Sequence, residues 1–190
     1  MKRRTLLVVV LCVLFALILV PVVGKLLSSR IGVIEIEGVI TDSREVLEQI
    51  EKFREDDGIK GIIVRIESPG GASAPCQEIH KEIKKLREKK KVYVSMGSVC
   101  ASGGYYIAVA GERIYAMPST ITGSIGVVME HLVAEDLLKK IGVQANVIKA
   151  GEYKDTGSPF RRMKDEERTY LKKIIETVHM QFLEDVARNR

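Results

Sequence analysis

The sequence predicts an α/β fold, a mostly parallel sheet built from repeated βα units, preceded by one N-terminal transmembrane helix. Three observations carry that expectation. The chain opens on an uncharged apolar run with basic residues at both ends. Beyond it, short β-branched runs alternate with stretches of helical period, and glycine-rich turns separate the two kinds of segment.

From Thr5 to Gly24 twenty consecutive residues carry no charge. As a helix at about 1.5 Å per residue they span roughly 30 Å, the thickness of a bilayer core. Lys2, Arg3 and Arg4 precede the run. The positive-inside rule then makes residues 1–4 a cytoplasmic tail, 5–24 a single-pass anchor in the cytoplasmic membrane, and 25–30 a linker to an extracytoplasmic domain over 31–190. A cleaved signal peptide is the competing reading, with Val22-Val23-Gly24 as its cleavage site. The run exceeds the about 7–15 apolar residues of a usual signal peptide, which favours the uncleaved anchor. Cys12, in mid-run, reads as a lipid-facing or packing residue.

The elements follow in order. Ile31–Ile36 reads as a strand, ended by Glu37-Gly38. Thr41-Asp42-Ser43 starts a helix in which Val46, Leu47, Ile50 and Phe53 recur at helical spacing, and Gly58 closes it. Gly61–Ile66 is a β-branched strand broken by Ser68-Pro69-Gly70-Gly71. A second helix spans about Ala74 to Lys90 on a stripe of Ile79, Ile83 and Leu86, and Lys91–Ser95 is a third strand. A short helix from Ser102 to Ala110, a strand at Arg113–Ala116 and another near Ile125–Met129 come next. His131–Lys140 reads as helix, Val143–Ile148 as strand, and a loop runs through Met163. The last helix carries Leu171, Ile174, Ile175, Val178, Phe182 and Val186 on one face. That face needs cover, from a neighbouring subunit or from chain beyond Arg190.

Composition excludes several classes of function. There are 30 Lys+Arg against 25 Asp+Glu, a net charge of +5. The first 30 residues hold five basic groups and no acid, so residues 31–190 are formally neutral. The surplus belongs to the membrane end, and no nucleic-acid partner is expected. Lys81–Lys91 holds seven basic and two acidic residues without interleaved aromatics, which reads as a solvated helix face. At 46% hydrophobic the chain is not disordered, and residues 31–190 suffice for one cored domain. Cys12, Cys76 and Cys100 make neither a disulfide framework nor a zinc pattern. His80, His131 and His179 lie outside HExxH and Gly-x-Ser-x-Gly patterns and read as solvated or capping residues. Walker and GxGxxG loops are missing from the sequence, and no carboxylate pair stands out for glycoside chemistry.

Two glycine clusters remain, Ser68-Pro69-Gly70-Gly71 and Ala101-Ser102-Gly103-Gly104, each following a strand and opening toward a helix. Such turns aim backbone N–H groups into a cleft at the C-terminal ends of parallel strands, where an oxyanion or a phosphate would be held. Ser102, at the start of its helix among these donors, stands where a nucleophile would. With no suitable histidine its base would be a lysine. Lys154 differs from the lysines of the charged helices, because it sits in a loop of glycines, aromatics and small polar residues from Ala150 to Phe160. Ser124, in Thr122-Gly123-Ser124-Ile125-Gly126, is a third hydroxyl in a glycine-flanked loop, able to orient such a lysine. A surface lysine beside Asp155 is the plain alternative.

The runs CASGGYYIA (Cys100–Ala108), ITGSIGV (Ile121–Val127) and KAGEYKDTGSPF (Lys149–Phe160), together with the Ser-Pro-Gly-Gly turn, stand in the order of the signal peptide peptidase A family of bacterial membrane-anchored serine proteases, which residues 31–190 strongly resemble. The resemblance implies the Clp protease/crotonase type of fold, with Ser102 as nucleophile, Lys154 as general base and Ser124 positioning the lysine. The oxyanion donors would be backbone N–H groups of the Gly70-Gly71 turn and of Gly103. It further implies degradation of remnant signal peptides at the membrane, no metal or nucleotide cofactor, and assembly into a homo-oligomer held to the lipid by its anchors. Family chains usually continue past the final helix with another strand-and-helix segment. Three other readings remain: a related Ser/Lys protease cleaving a membrane-protein partner, an acyl-CoA enzyme of the same fold, and a non-catalytic membrane scaffold.

Overall fold

The computed structural model describes residues 29–190 together with Phe15, Leu17, Leu19 and Gly24. The expected anchor and Cys12 therefore lie outside the described residues, apart from three positions of the apolar run and Gly24. Among the described residues no helix is long and apolar enough to cross a membrane. The chain divides into two compact units, the first ending at Gly123 and the second running from Ser124 to Arg190.

The first unit is a series of βα repeats: β1 (Arg30–Ile40), α1 (Arg44–Glu55), β2 (Ile59–Gly71), α2 (Ser73–Lys89), β3 (Lys91–Ala101), α3 (Gly103–Ala108), β4 (Arg113–Tyr115) and β5 (Ile121–Gly123). The strands lie in the order β1-β2-β3-β4, β5 also pairs with β3, and every pairing is parallel. Strand β4 runs beside Tyr93–Ser95 and β5 beside Val99–Ala101, so two short strands share one edge of β3 end to end. Parallel neighbours require crossovers, which α1 and α2 supply. Period-two alternation buries Ile34, Ile36, Ile62, Val64, Ile66, Val92, Val94 and Met96, and the helices contribute Ile50, Ile79, Ile83, Leu86 and Ile107 to the same core. Val33, on the opposite parity, is 47% exposed.

All three long strands outrun the sequence reading at their C-terminal ends. Ser68-Pro69-Gly70-Gly71 does not end β2; the strand continues through it, with Val39 paired to Gly70 and Ile40 to Gly71. Register shifts between Glu37 and Val39 and between Ile66 and Ser68 absorb the irregular residues, Gly38 with φ +67 among them. Local breakers are tolerated where a bulge lets the ladder resume beyond them.

The second unit holds α4 (Glu135–Lys140) and α5 (Asp165–Asn189). The strands expected near Ile125–Met129 and at Val143–Ile148 are not formed, and the helix expected from His131 begins at Glu135. A β-branched run becomes a strand only against a partner ladder, and among the described residues none pairs with these segments. Val128 is 78% and Ile148 97% exposed. Of the apolar stripe on α5, Phe182 is buried, Leu171, Ile175, Val178 and Val186 are half-buried, and Ile174 is exposed.

Candidate active site

Strand β3 delivers Ser102 to a sharp turn. Its N–H donates to the Gly123 carbonyl at 2.8 Å, and its own carbonyl accepts the Tyr106 N–H at 2.8 Å to start α3. Between these anchors Ser102 takes φ 49° and ψ −119°. Among the described residues only two non-glycine residues have positive φ, and they are Ser102 and Ser124. Such backbone is strained by about 1–3 kcal/mol and persists only where the surroundings over-determine it. This is the strand-turn-helix device of a nucleophile elbow without its usual sequence signature.

The end of β2 packs directly on this turn. A Cβ on Gly70, whose φ is +107°, would stand 2.7 Å from the Gly103 nitrogen and 2.9 Å from the Ser102 Cβ. A Cβ on Gly103 would stand 3.2 Å from the Gly71 nitrogen and 2.5 Å from the Cys76 Sγ. Only glycine permits so close an approach of two backbones. Ser68, fully buried, shapes the strand end: its hydroxyl donates to the Gly38 carbonyl at 2.6 Å and accepts the Gly70 N–H at 3.1 Å. The Ala72 N–H returns to β1 at the Ile40 carbonyl, 2.8 Å away. Strand alternation turns the intervening Gly71 N–H toward Gly103, the first residue of α3. Gly70 thus spends its N–H on Ser68, and Gly71 aims one at the serine turn.

The other two expected site residues belong to the second unit. Ser124 (φ 53°) is exposed. Lys154 lies between Gly151 (φ +100°) and Gly157 (φ +78°), and its N–H reaches the Gly151 carbonyl at 3.4 Å. Its side chain is exposed and enters no ion pair among the described residues, so the unit that carries this lysine does not desolvate it. The structure brings Ser102, Gly70, Gly71 and Gly103 together in one unit and carries Ser124 and Lys154 on the other.

The loop around Lys154 is tied down by charge. Asp155 pairs with Lys149 and accepts from Arg161 Nε at 2.7 Å, while Arg161 Nη1 and Nη2 reach Glu167 at 2.8 and 2.5 Å. Glu167 also accepts the Lys164 N–H at 2.9 Å at the start of α5. The Arg161 guanidinium, then Lys149, holds the Asp155 carboxyl well below the usual range, and Arg161 with the Lys164 N–H holds Glu167 down to about 2. The same carboxylates push the Arg161 guanidinium up. Sequence reasoning missed this clamp, because its members are separated by loop residues and share no periodic spacing.

One reading from sequence is amended here. His80 is not solvated: it is 3% exposed, its Nδ1–H donates to the Tyr106 carbonyl at 2.7 Å, and its ring lies 4.5 Å from that of Tyr106. His80 shares the buried face of α2 with Cys76, Ile79, Ile83 and Leu86, while Lys81, Lys85 and Lys89 are exposed, and composition alone averaged the two faces. Cys100 is fully buried, and burial pushes its thiol up to about 12 and that of Cys76 up to about 11. Neither is a nucleophile at neutral pH. Among the described residues no group of three or more His, Cys, Asp or Glu side chains is placed to hold a metal ion.

Comparison with known proteins gives this geometry a family. The model of peptidase family S49 matches residues 84–190, and the Clp protease model matches residues 18–125. A candidate protease of Synechocystis is 41% identical over 163 residues, 85% of this chain and 59% of the relative. One from Methanocaldococcus jannaschii is 38% identical over 149 residues, 78% of this chain and 48% of the relative. The chloroplastic serine protease SPPA of Arabidopsis thaliana is 36% identical over 168 residues, 88% of this chain and 25% of the relative. The chain spans about half the length of the first two. Its strand-turn-helix serine, its parallel sheet and these matches agree: the chain belongs to peptidase family S49, the signal peptide peptidase A family.

Proposed function

We propose that the chain is a serine endopeptidase that uses a Ser102/Lys154 dyad to degrade remnant signal peptides at the cytoplasmic membrane. The observation that carries the reading is that, among the described residues, positive non-glycine φ is confined to Ser102 and Ser124, two of the hydroxyls that the motifs single out. Strain maintained at two glycine-flanked serines, in a chain of this family, argues for a built active site rather than a pair of tight turns.

The chemistry proceeds as acyl transfer. Ser102 Oγ attacks the scissile carbonyl carbon while its proton passes to the free amine of Lys154. The carbonyl oxygen becomes an oxyanion received by the N–H groups of Gly71 and Gly103. Collapse of this intermediate expels the peptide amine, which takes the proton back from Lys154, and leaves an ester on Ser102. Water attacks the ester, gives a proton to Lys154, and the second collapse returns that proton to Ser102 Oγ. Ser124 orients the lysine. Because Lys154 is exposed within its own unit, its desolvation falls to the assembled homo-oligomer. The apolar run of residues 5–24 is the anchor that holds the site near its substrates, with the N-terminus inside.

The test is labelling of the detergent-solubilised chain by a fluorophosphonate probe, beside Ser102→Ala and Lys154→Ala. Labelling of the parent alone supports the dyad. Labelling that survives Lys154→Ala removes the lysine from its role, and a parent that is never labelled means either a site that this chain does not assemble or a scaffold, which labelling of a longer chain decides.

A further inference from the structure

Strand β1 is an edge of the sheet: among the described residues it pairs only with β2. Its C-terminal end is directional. The Gly38 carbonyl accepts from Ser68 Oγ and the Ile40 carbonyl accepts from the Ala72 N–H, so both point toward β2. Alternation turns the N–H and C=O of Val39, between them, out to the open side. The Val39 side chain is 66% exposed. An unpaired donor and acceptor beside an exposed apolar side chain are what an added strand would use.

Beside this edge lies a groove of about 660 Å³, bounded by the end of β1 and by α1. Its lining includes the buried apolar residues Ile36, Ile40 and Ile79, together with Glu45 and Glu48 of α1 and Glu35 and Glu37 of β1. None of these four carboxylates is in an ion pair among the described residues, whereas the remaining acid, Asp42, is matched by Arg44 at 2.9 Å. The lining thus carries five carboxylates against the one guanidinium of Arg44, with Glu45 and Glu48 on α1 and Glu35 and Glu37 on the exposed parity of β1. Its occupant must be extended, partly apolar and cationic.

Its location relates it to the serine turn. Val39 and Ile40 are the cross-strand partners of Gly70 and Gly71, the residues packed on Ser102 and Gly103. Neighbouring strands lie about 4.8 Å apart, so a peptide added to β1 would run two strand spacings, roughly 10 Å, from the Gly70-Gly71 turn, with β1 between them. We infer that the open edge of β1 and its carboxylate-lined groove bind the lysine- or arginine-bearing flank of a peptide as an added strand. The inference deepens the peptidase reading, since a basic segment beside an apolar one is the composition of a signal peptide's beginning.

The experiment separates binding from catalysis. The full chain carrying Ser102→Ala, solubilised in detergent, is titrated by fluorescence anisotropy with a labelled peptide of three lysines followed by three Val-Thr repeats. The comparison peptide has three glutamines in place of the lysines. The lysine peptide is expected to bind about fivefold tighter or better, and the advantage should vanish at about 0.5 M salt and in Glu45→Lys/Glu48→Lys, whose fold is checked by thermal melting. Hydrogen exchange at the Val39 amide should slow when the lysine peptide is added. Equal affinities, an advantage that survives the charge reversal, or unchanged exchange at Val39 would each overturn the inference. Because no turnover is needed, a chain that fails to cleave peptides can still pass this test, and one that cleaves without charge preference fails it while the peptidase reading stands.

Discussion

Arg161 bridges two carboxylates on either side of a loop, donating to Asp155 from Nε at 2.7 Å and to Glu167 from Nη2 at 2.5 Å. Asp155 is the residue after Lys154, and Glu167 lies in the first turn of α5. One guanidinium thus ties the lysine-bearing loop to a helix start. Its planar fork matches both acids, which a lysine in its place would not do.

Loss of this clamp should affect the position of the lysine more than substrate binding. Arg161→Ala is expected to lower kcat by about tenfold or more with KM changed little, as for a positioning defect. Arg161→Lys should recover only part of the rate. Steady-state kinetics on any peptide ester that the parent hydrolyses checks this. A rise in KM alone would mean that the clamp serves binding.

The clamp also sets an acid limit. Glu167 is held below its ordinary 4.5 to about 2, and Asp155 lower still. A depressed carboxyl stabilises the fold above its unfolded value and loses that contribution as pH falls through its folded value. Melting temperature should therefore decline from about pH 4.5 toward pH 2, and Arg161→Ala should flatten the decline. Parallel curves for parent and variant would assign the acid sensitivity elsewhere.

Gly70→Ala should silence the serine. The new Cβ would lie 2.7 Å from the Gly103 nitrogen, at a φ of +107° that alanine disfavours. Relief requires moving Gly103 or Ser102, so fluorophosphonate labelling should slow by about a hundredfold, on the scale of a lost oxyanion donor. Rapid labelling of a folded Gly70→Ala chain would separate the strand end from the site.

Ser68→Ala should show how that strand end is held. It removes the donor to the Gly38 carbonyl and the acceptor for the Gly70 N–H from a fully buried position. The expected cost is about 1–3 kcal/mol of stability in denaturant titration, with slower labelling of Ser102. A neutral substitution would mean that water replaces the hydroxyl.

Activity should rise from neutral to alkaline pH, because a lysine accepts a proton only as the free amine. The pH dependence of kcat/KM checks this, and a flat profile from pH 7 to pH 10 would count against a lysine base.

Much of the first unit was legible in the sequence. The alternation of β-branched runs with helical stripes of Ile50 and of Ile79, Ile83 and Leu86 marks βα repeats, and those residues are the buried core. Local period and side-chain burial are the same fact seen twice, since one face of each element must leave water. The three expected glycines and Ser102 also meet, because glycine clusters after strands mark where parallel strands end.

What local pattern did not determine was pairing. Ile125–Met129 and Val143–Ile148 have strand composition but no ladder, whereas Ser68-Pro69-Gly70-Gly71 has breaker composition yet continues one. His80 reads as a solvated helix residue until α3 is laid over it. The Arg161 clamp and the outward-facing Val39 likewise depend on which segments become neighbours. Local pattern marked the long strands and helices of the first unit and the residues that could carry chemistry, because propensity and burial period act within a few residues. The tertiary structure decided where strands end, which glycine N–H faces the serine and which charges meet, because hydrogen bonds and ion pairs between segments depend on distances in space that chain order does not contain.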